Sequence, residues 1–246
     1  MSVFDAYARY YDLVNQEKDY PAEAQYVASL IREHGGETST LLDIGCGTGR
    51  HAELLADIGF GVEGLDRAEG MIAQAKSRRP DIGYHVGDVC DFNLGKEFDV
   101  VSALFHVISY LTEQDQLRAA FKSIRNHLKP GGLFVFDCWH GPAVLHQRPE
   151  VRIRRLASES AHVVRIAEPE MLPEKNQVNV NFEIFVEEHG NWSQFTEEHP
   201  MRYLFQPEVE ELLSDSGMEM LRAEEWLTGN EPGEDTWSVV YVTRVI

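Results

Sequence analysis

Cysteine is scarce in this sequence. The three present, Cys46, Cys90 and Cys138, are far apart and never form a Cys-x-x-Cys pair. An odd, scattered set argues against a disulfide framework and against a thiolate metal or iron–sulfur site. Positive charge is also short. Lys and Arg number 22 against 41 Asp and Glu, a formal net charge of −19, which repels phosphate backbones and anionic membrane surfaces. No apolar run reaches membrane-spanning length, and MSVFDAYARYYDLV at the start has neither the basic end nor the apolar core of a signal peptide. The ten histidines lack H-x-x-x-H and H-E-x-x-H spacing, so a metal site is not expected. These absences leave a cytoplasmic protein that handles a small molecule rather than nucleic acid or membrane. The one basic stretch, RPEVRIRRL, alternates its charges with apolar residues as a solvated strand face does; phosphate contact is the other reading.

What is present begins with alternation of strand and helix. Ala24, Val27, Ala28 and Ile31 share a helical face that stops at Gly35 and Gly36, and TLLDI follows as a short buried strand. HAELLADIG, AEGMIAQAKSR and TEQDQLRAAFKSIRNHL read as helices, the last opened by Thr112. GVEGLD, IGYHVGD, FDVVSALF and LFVFDCW read as strands. That order describes an α/β, Rossmann-like doubly wound and mostly parallel sheet. From His140 the pattern changes to VRIRRLA, AHVVRIAEPEML, NQVNVNFEIFVEE and WSQFTEEHPMRYLF, strands with no crossover helix between them, hence a small inserted antiparallel sheet. QPEVEELLSDSG restores a helix, and two last strands end the chain. The expected division is 1–139 with 206–246 as one domain and 140–205 as the insertion. The inserted sheet and final strands also offer surfaces for pairing into a homodimer.

LLDIGCGTGR places Gly45, Gly47 and Gly49 at alternate positions where the first strand hands over to its helix. In open α/β sheets ligands sit beyond that edge, and a residue without Cβ lets a ligand lie against bare backbone. A dinucleotide fingerprint needs a third glycine where Arg50 stands, which weakens a nicotinamide-dependent oxidoreductase. Asp43, before the first glycine, favours a cationic ligand over an anionic one. S-adenosylmethionine, with a sulfonium, an ammonium and no phosphate, fits these features.

LLDIGCGTGRH closely resembles the first motif of class I S-adenosylmethionine-dependent methyltransferases, and later segments follow in the family's order. The resemblance implies that the glycine loop holds the methionyl part and ribose, that Asp66 accepts the ribose hydroxyls, and that Asp88 and Val89 meet the adenine. It also implies that Arg67, Met71 and Leu104 line the cofactor site. YARYYDLV followed by KDYPAEAQYV resembles the start of methyltransferases that modify nucleotide-linked amino sugars, which implies that Tyr11 and Tyr20 close over cofactor and acceptor, with aromatic faces near the sulfonium.

Methyl transfer needs mostly alignment and dehydration, together worth about 7 to 11 kcal/mol. An acceptor that starts protonated also needs a base. His106 and Tyr110 are four apart after the fourth strand and share a face if that stretch coils. The amino-sugar enzymes that this chain resembles carry histidine at the place of Tyr110, so the sequence departs from their pattern there. His106 is the first candidate base and His140, ending the fifth strand beside Trp139, the second; Tyr11 joins the catalytic set. Arg202 and Tyr203 are candidates for meeting a diphosphate or carboxylate. The expected activity is methylation of N or O on a small polar metabolite, with a nucleotide-linked sugar or amino sugar as leading acceptor. A small aromatic or amino-acid-derived acceptor, an oxidoreductase and a non-catalytic binding module are the alternatives.

Overall fold

The computed structural model describes residues 8–158 and 161–246. The first half of the amino-terminal stretch used to argue against a signal peptide, including Tyr7 of the YARYYDLV motif, lies outside the described residues. A short helix, α1 (Ala8–Val14), precedes α2 (Tyr20–Gly35). Helix α2 is started by the Asp19 carboxylate, which accepts the Ala22 N–H at 3.0 Å, and by Pro21 in its first turn. It buries the expected apolar face. Then follow β1 (Thr40–Ile44), α3 (Arg50–Ile58), β2 (Gly61–Asp66), α4 (Glu69–Arg78), β3 (Gly83–Val86), β4 (Phe98–Ala103), α5 (Gln114–Asn126) and β5 (Leu128–His140).

The parallel part of the sheet runs β3-β2-β1-β4-β5. The order reverses at β1, between β2 and β4, and this is where an open sheet leaves a crevice at its carboxyl edge. Strands β1 and β4 are almost wholly buried because helices cover both faces. On one face Phe121 of α5 packs edge-on against the stacked rings of Phe134 and Phe136.

Helix α6 (Gly141–Gln147) leads from β5 into the insertion, formed by β6 (Arg152–Ala157), β7 (Ala161–Leu172), β8 (Gln177–Glu188) and β9 (Asn191–Leu204). Helix α7 (Gln206–Asp215), β10 (Met218–Glu225) and β11 (Ser238–Val245) complete the chain, with β11 antiparallel to both β5 and β10. No described helix is long and apolar enough to cross a membrane.

Three features depart from the sequence reading. Helix α6 was not expected; Pro142 in its first turn suits a helix start. Glu113 rather than Thr112 caps α5, its N–H donating to Gln116 Oε1 at 3.1 Å. The Thr112 carbonyl instead accepts from Gln177 and Arg202 of the insertion. The inserted strands are also continuous with the main sheet. Trp139 and His140 at the end of β5 pair in parallel with Tyr203 and Leu204 of β9, which fixes the insertion over the carboxyl edge of the parallel strands.

Candidate active site

A cavity of about 650 Å³ opens at that edge and is lined by both the α/β part and the inserted sheet. Its floor begins with the glycine loop. Gly45 has φ 65°, and a Cβ there would come within 2.4 Å of Val107. Gly47 has φ 53° and faces open space, so what its missing side chain leaves free is cavity volume. Gly49 corrects the sequence reading. A Cβ on it would strike the Tyr84 hydroxyl at 2.6 Å, and it caps α3 without lining the cavity.

Asp66 ends β2 inside the cavity. One carboxylate oxygen accepts the Gly47 N–H at 2.9 Å and the other the Ala68 N–H at 2.8 Å, so this side chain fixes both the glycine loop and the entry to α4. Burial pushes its pKa up, opposed by these hydrogen bonds. Arg67, Met71, Asp88, Val89 and Leu104 line the same cavity. Asp43 does not, which is a second correction. It is 2% exposed within the sheet and accepts the hydroxyl of its β4 register partner, Ser102, at 2.8 Å. Burial raises its pKa to about 6.

Tyr11 of α1 lines the cavity and packs against Ala68 and Met71. Its neighbour Asp12 holds the helix in place, accepting the Thr48 hydroxyl at 2.7 Å and pairing with Arg78. Tyr20 lies elsewhere. It is buried edge-on against His51 with the Arg50 guanidinium 5.3 Å from its ring centroid, outside the cavity lining.

After β4 the chain makes a corner in which both Phe105 (φ 67°) and His106 (φ 64°) are left-handed. Two such residues in succession cost about 1 to 3 kcal/mol each. Asp137 of β5, 2% exposed, offsets this by accepting the His106 N–H at 3.2 Å. The His106 ring Nδ1 lies 2.7 Å from the other Asp137 oxygen, out of hydrogen-bond alignment. Burial raises the Asp137 pKa, yet the nearby His106 imidazole and the His106 backbone N–H outweigh it and hold the carboxyl below its usual range. His106 and Tyr110 both line the cavity, His106 from the left-handed corner and Tyr110 from the end of the 3₁₀ turn Val107–Tyr110, so it is the corner and not a shared helical face that brings them together.

His140 does not join them. It is buried outside the cavity lining with Nδ1 3.2 Å from the Thr236 carbonyl, and desolvation lowers its pKa, so it serves the β5–β11 edge. Trp139 lines the cavity, edge-on to both His106 and Trp237.

The roof is one face of the inserted sheet. Arg152 and Arg154 of β6 are two apart and share a face. Their register partners on β7 are Ala167 and Arg165; Ala167 pairs in turn with Phe182 of β8, and Val180, two residues before Phe182 on the same face, pairs with His199 of β9, with Met201 beyond it; all of these line the cavity. The Arg165 guanidinium lies 4.6 Å from the Phe182 ring centroid, and that ring tilts against His199 at 4.4 Å. His199, 2% exposed, has Nδ1 2.9 Å from the Tyr110 hydroxyl and Nε2 3.1 Å from Glu197. The basic stretch is therefore part of a cavity wall rather than only a solvated strand. Arg202 and Tyr203 are not. Arg202 donates to the Thr112 carbonyl at 2.9 Å and pairs with Glu208, and Tyr203 is fully buried.

Sequence reasoning missed Asp12, Asp137, Arg165, Glu197 and His199. Only Asp137 carried a local signal, as the lone acid within the apolar run LFVFDCW.

Residues 41–132 match a family model described as a methyltransferase domain. The chain is 41% identical over 138 residues to dTDP-3-amino-3,4,6-trideoxy-alpha-D-glucopyranose N,N-dimethyltransferase of Streptomyces venezuelae, covering 55% of this chain and 58% of that protein. The chain spans a little over half the length of the curated relatives it matches. Among solved structures it is similar to Streptomyces venezuelae DesVI, with TM-score 0.81 and 29% identity over 98% of both chains. It is also similar to S-adenosylmethionine-bound CalS10, an amino pentose methyltransferase from Micromonospora echinaspora involved in calicheamicin biosynthesis. That likeness has TM-score 0.78 and 28% identity, over 100% of this chain and 98% of the other.

Proposed function

We propose that this chain, which carries a methyltransferase domain on the class I S-adenosylmethionine-dependent fold, methylates the amino group of a nucleotide-linked amino sugar. The observation that carries the reading is the composition of one cavity. The glycine loop and Asp66 line one part of it, and Arg152, Arg154 and Arg165 line another. The printed activity of the Streptomyces venezuelae relative, an N,N-dimethyltransferase of a dTDP-linked amino sugar, supports it.

S-adenosylmethionine fits on an observation independent of that likeness. The volume left by Gly47 is open beside the half-buried Asp66 carboxylate, and an aspartate has acceptor capacity for two hydroxyls beyond its two backbone bonds. Asp66 holds the ribose, Asp88 and Val89 meet the adenine, and Tyr11 with Met71 closes the site. When bound, the cofactor supplies an electrophilic methyl group. The chain's own part is to orient the acceptor, exclude water and remove the proton that masks an amine lone pair at neutral pH. The guanidinium groups suit a diphosphate, which they bind by charge-assisted hydrogen bonds. The reading keeps the cytoplasmic location and the homodimer expected from the sequence, and light scattering tests the pairing.

Transfer of labelled methyl groups to nucleotide-linked amino sugars, neutral nucleotide sugars and small amines tests the acceptor. Labelling of the amino sugars is expected. Preferential labelling of a small aromatic compound instead moves the acceptor to the Trp139 and Trp237 wall.

A further inference from the structure

We infer that Tyr110, His199 and Glu197 form a proton relay that deprotonates the acceptor's ammonium group. This rests on the methyl-transfer reading above and names the base of that site. The relay joins the 3₁₀ turn after β4 to the inserted sheet, so no local stretch of sequence contains it.

The hydrogen-bond chemistry fixes its direction. The Glu197 carboxylate only accepts, so the His199 Nε2, 3.1 Å away, carries the ring proton. His199 Nδ1 is then the acceptor for the Tyr110 hydroxyl at 2.9 Å. Tyr110 and His199 both line the cavity, which qualifies them to meet the acceptor; Glu197 acts through His199 and is a positioning residue. A phenol with an ordinary pKa near 10 is a poor base by itself. Here it passes its own proton on as it takes one, and no phenolate forms.

In the step, the N–H bond of the acceptor's ammonium breaks and its electron pair stays on nitrogen as the nucleophilic lone pair. The proton forms a new O–H bond on Tyr110, while the original Tyr110 proton moves to His199 Nδ1. The imidazolium so formed holds its Nε2–H on Glu197. One proton has moved from acceptor to His199.

Among the described residues, the titratable and charged groups that face His199 include Tyr110 from the 3₁₀ turn, Glu197 from its own strand and Arg165 of β7 across the Phe182 ring of β8. His106 offers less well-directed geometry. Its Nδ1 contacts Asp137 out of alignment, and its backbone is held by the same carboxylate.

The test joins kinetics with a readout that needs no turnover. Nitrogen NMR of histidine-labelled protein without cofactor should find His199 as the Nε2–H tautomer, with a Nδ1 shift that Tyr110→Phe changes. The opposite tautomer, or no response to Tyr110→Phe, overturns the relay. With a methylated amino-sugar acceptor, Tyr110→Phe and His199→Gln should lower kcat/KM at pH 7 by about 100-fold or more. Binding of S-adenosylhomocysteine by Tyr110→Phe should stay unchanged. The deficit should shrink as pH rises and the acceptor loses its proton unaided, which a merely structural role would not produce. Glu197→Gln should move the acidic limb of the wild-type profile to lower pH, because the imidazolium loses its carboxylate partner. A pH-independent deficit, or a larger loss in His106→Gln than in Tyr110→Phe, overturns the assignment. If no acceptor is methylated, the functional reading fails while the NMR result still decides the relay.

Discussion

Single residues here hold more than one task at once. Asp66 ties the glycine loop to the start of α4 through two backbone N–H groups and still lines the cavity. Asp66→Ala should therefore weaken S-adenosylhomocysteine binding by about 1.5 to 3 kcal/mol, the range for hydrogen bonds to a charged group, measured by calorimetry. Unchanged affinity would remove Asp66 from the ribose. Asp137 has a comparable position under the strained Phe105–His106 corner. Asp137→Ala removes the acceptor of both the His106 N–H and the Ser238 hydroxyl, and a buried donor left without a partner costs about 1 to 3 kcal/mol, so it should lower the denaturation midpoint more than His106→Gln, which keeps both bonds. Equal losses would mean that the carboxylate does not support the corner.

At the scale of elements, α1 and the inserted sheet cover a crevice made by the parallel strands. Asp12 fastens α1 to Thr48 and Arg78. Asp12→Ala should loosen the Tyr11 cover, raising the dissociation constant for S-adenosylhomocysteine and the rate of proteolytic cleavage near α1; protection equal to wild type would contradict this. The parallel strands and their helices were legible because burial on both faces writes continuous apolar runs and a helical period into the sequence. The glycine loop was legible from its alternate spacing, whereas Asp66 and Asp88 were implied only by the family resemblance; these residues, with His106 and Tyr110, line the cavity apart from Gly49. The roof was not legible. A strand face turned toward a polar cavity and one turned toward solvent both alternate charged and apolar residues, so Arg152 and Arg154 read as a solvated face and Arg165 and His199 did not stand out. Gly49 and Asp43 show the reverse error, since Gly47 and Gly45, each two residues away, line the cavity while they pack behind it, and Tyr20, which the resemblance alone implied, packs on His51 away from the lining.

Across the whole molecule, a formal charge of −19 surrounds a cavity bordered by three arginines of the insertion. Added salt should raise the KM for an anionic nucleotide sugar and leave S-adenosylhomocysteine binding nearly unchanged, because screening weakens the attraction of guanidinium groups for phosphate. Buried charge also makes folding pH-dependent. Asp43 has a folded pKa of about 6 against an ordinary 3.8, so the folded state holds this proton more tightly than the unfolded chain. Its contribution to stability is therefore present at low pH and is lost as pH rises through 6, by at most roughly 3 kcal/mol. Asp137 acts oppositely, its contribution disappearing only below the ordinary carboxylate range. Urea melts at pH 7.5 and 5, compared with Asp43→Asn, should show the wild type gaining relative to the variant at the lower pH, in line with the linkage sign. Parallel behaviour would contradict the buried charge. The central claim is that the crevice beside Gly47 and Asp66 receives the adenosine and sulfur of the methyl donor. Calorimetric titration of the intact chain with S-adenosylhomocysteine, beside NAD, measures it directly. Saturable binding of the first and none of the second is the predicted result, and NAD binding without S-adenosylhomocysteine binding would contradict it.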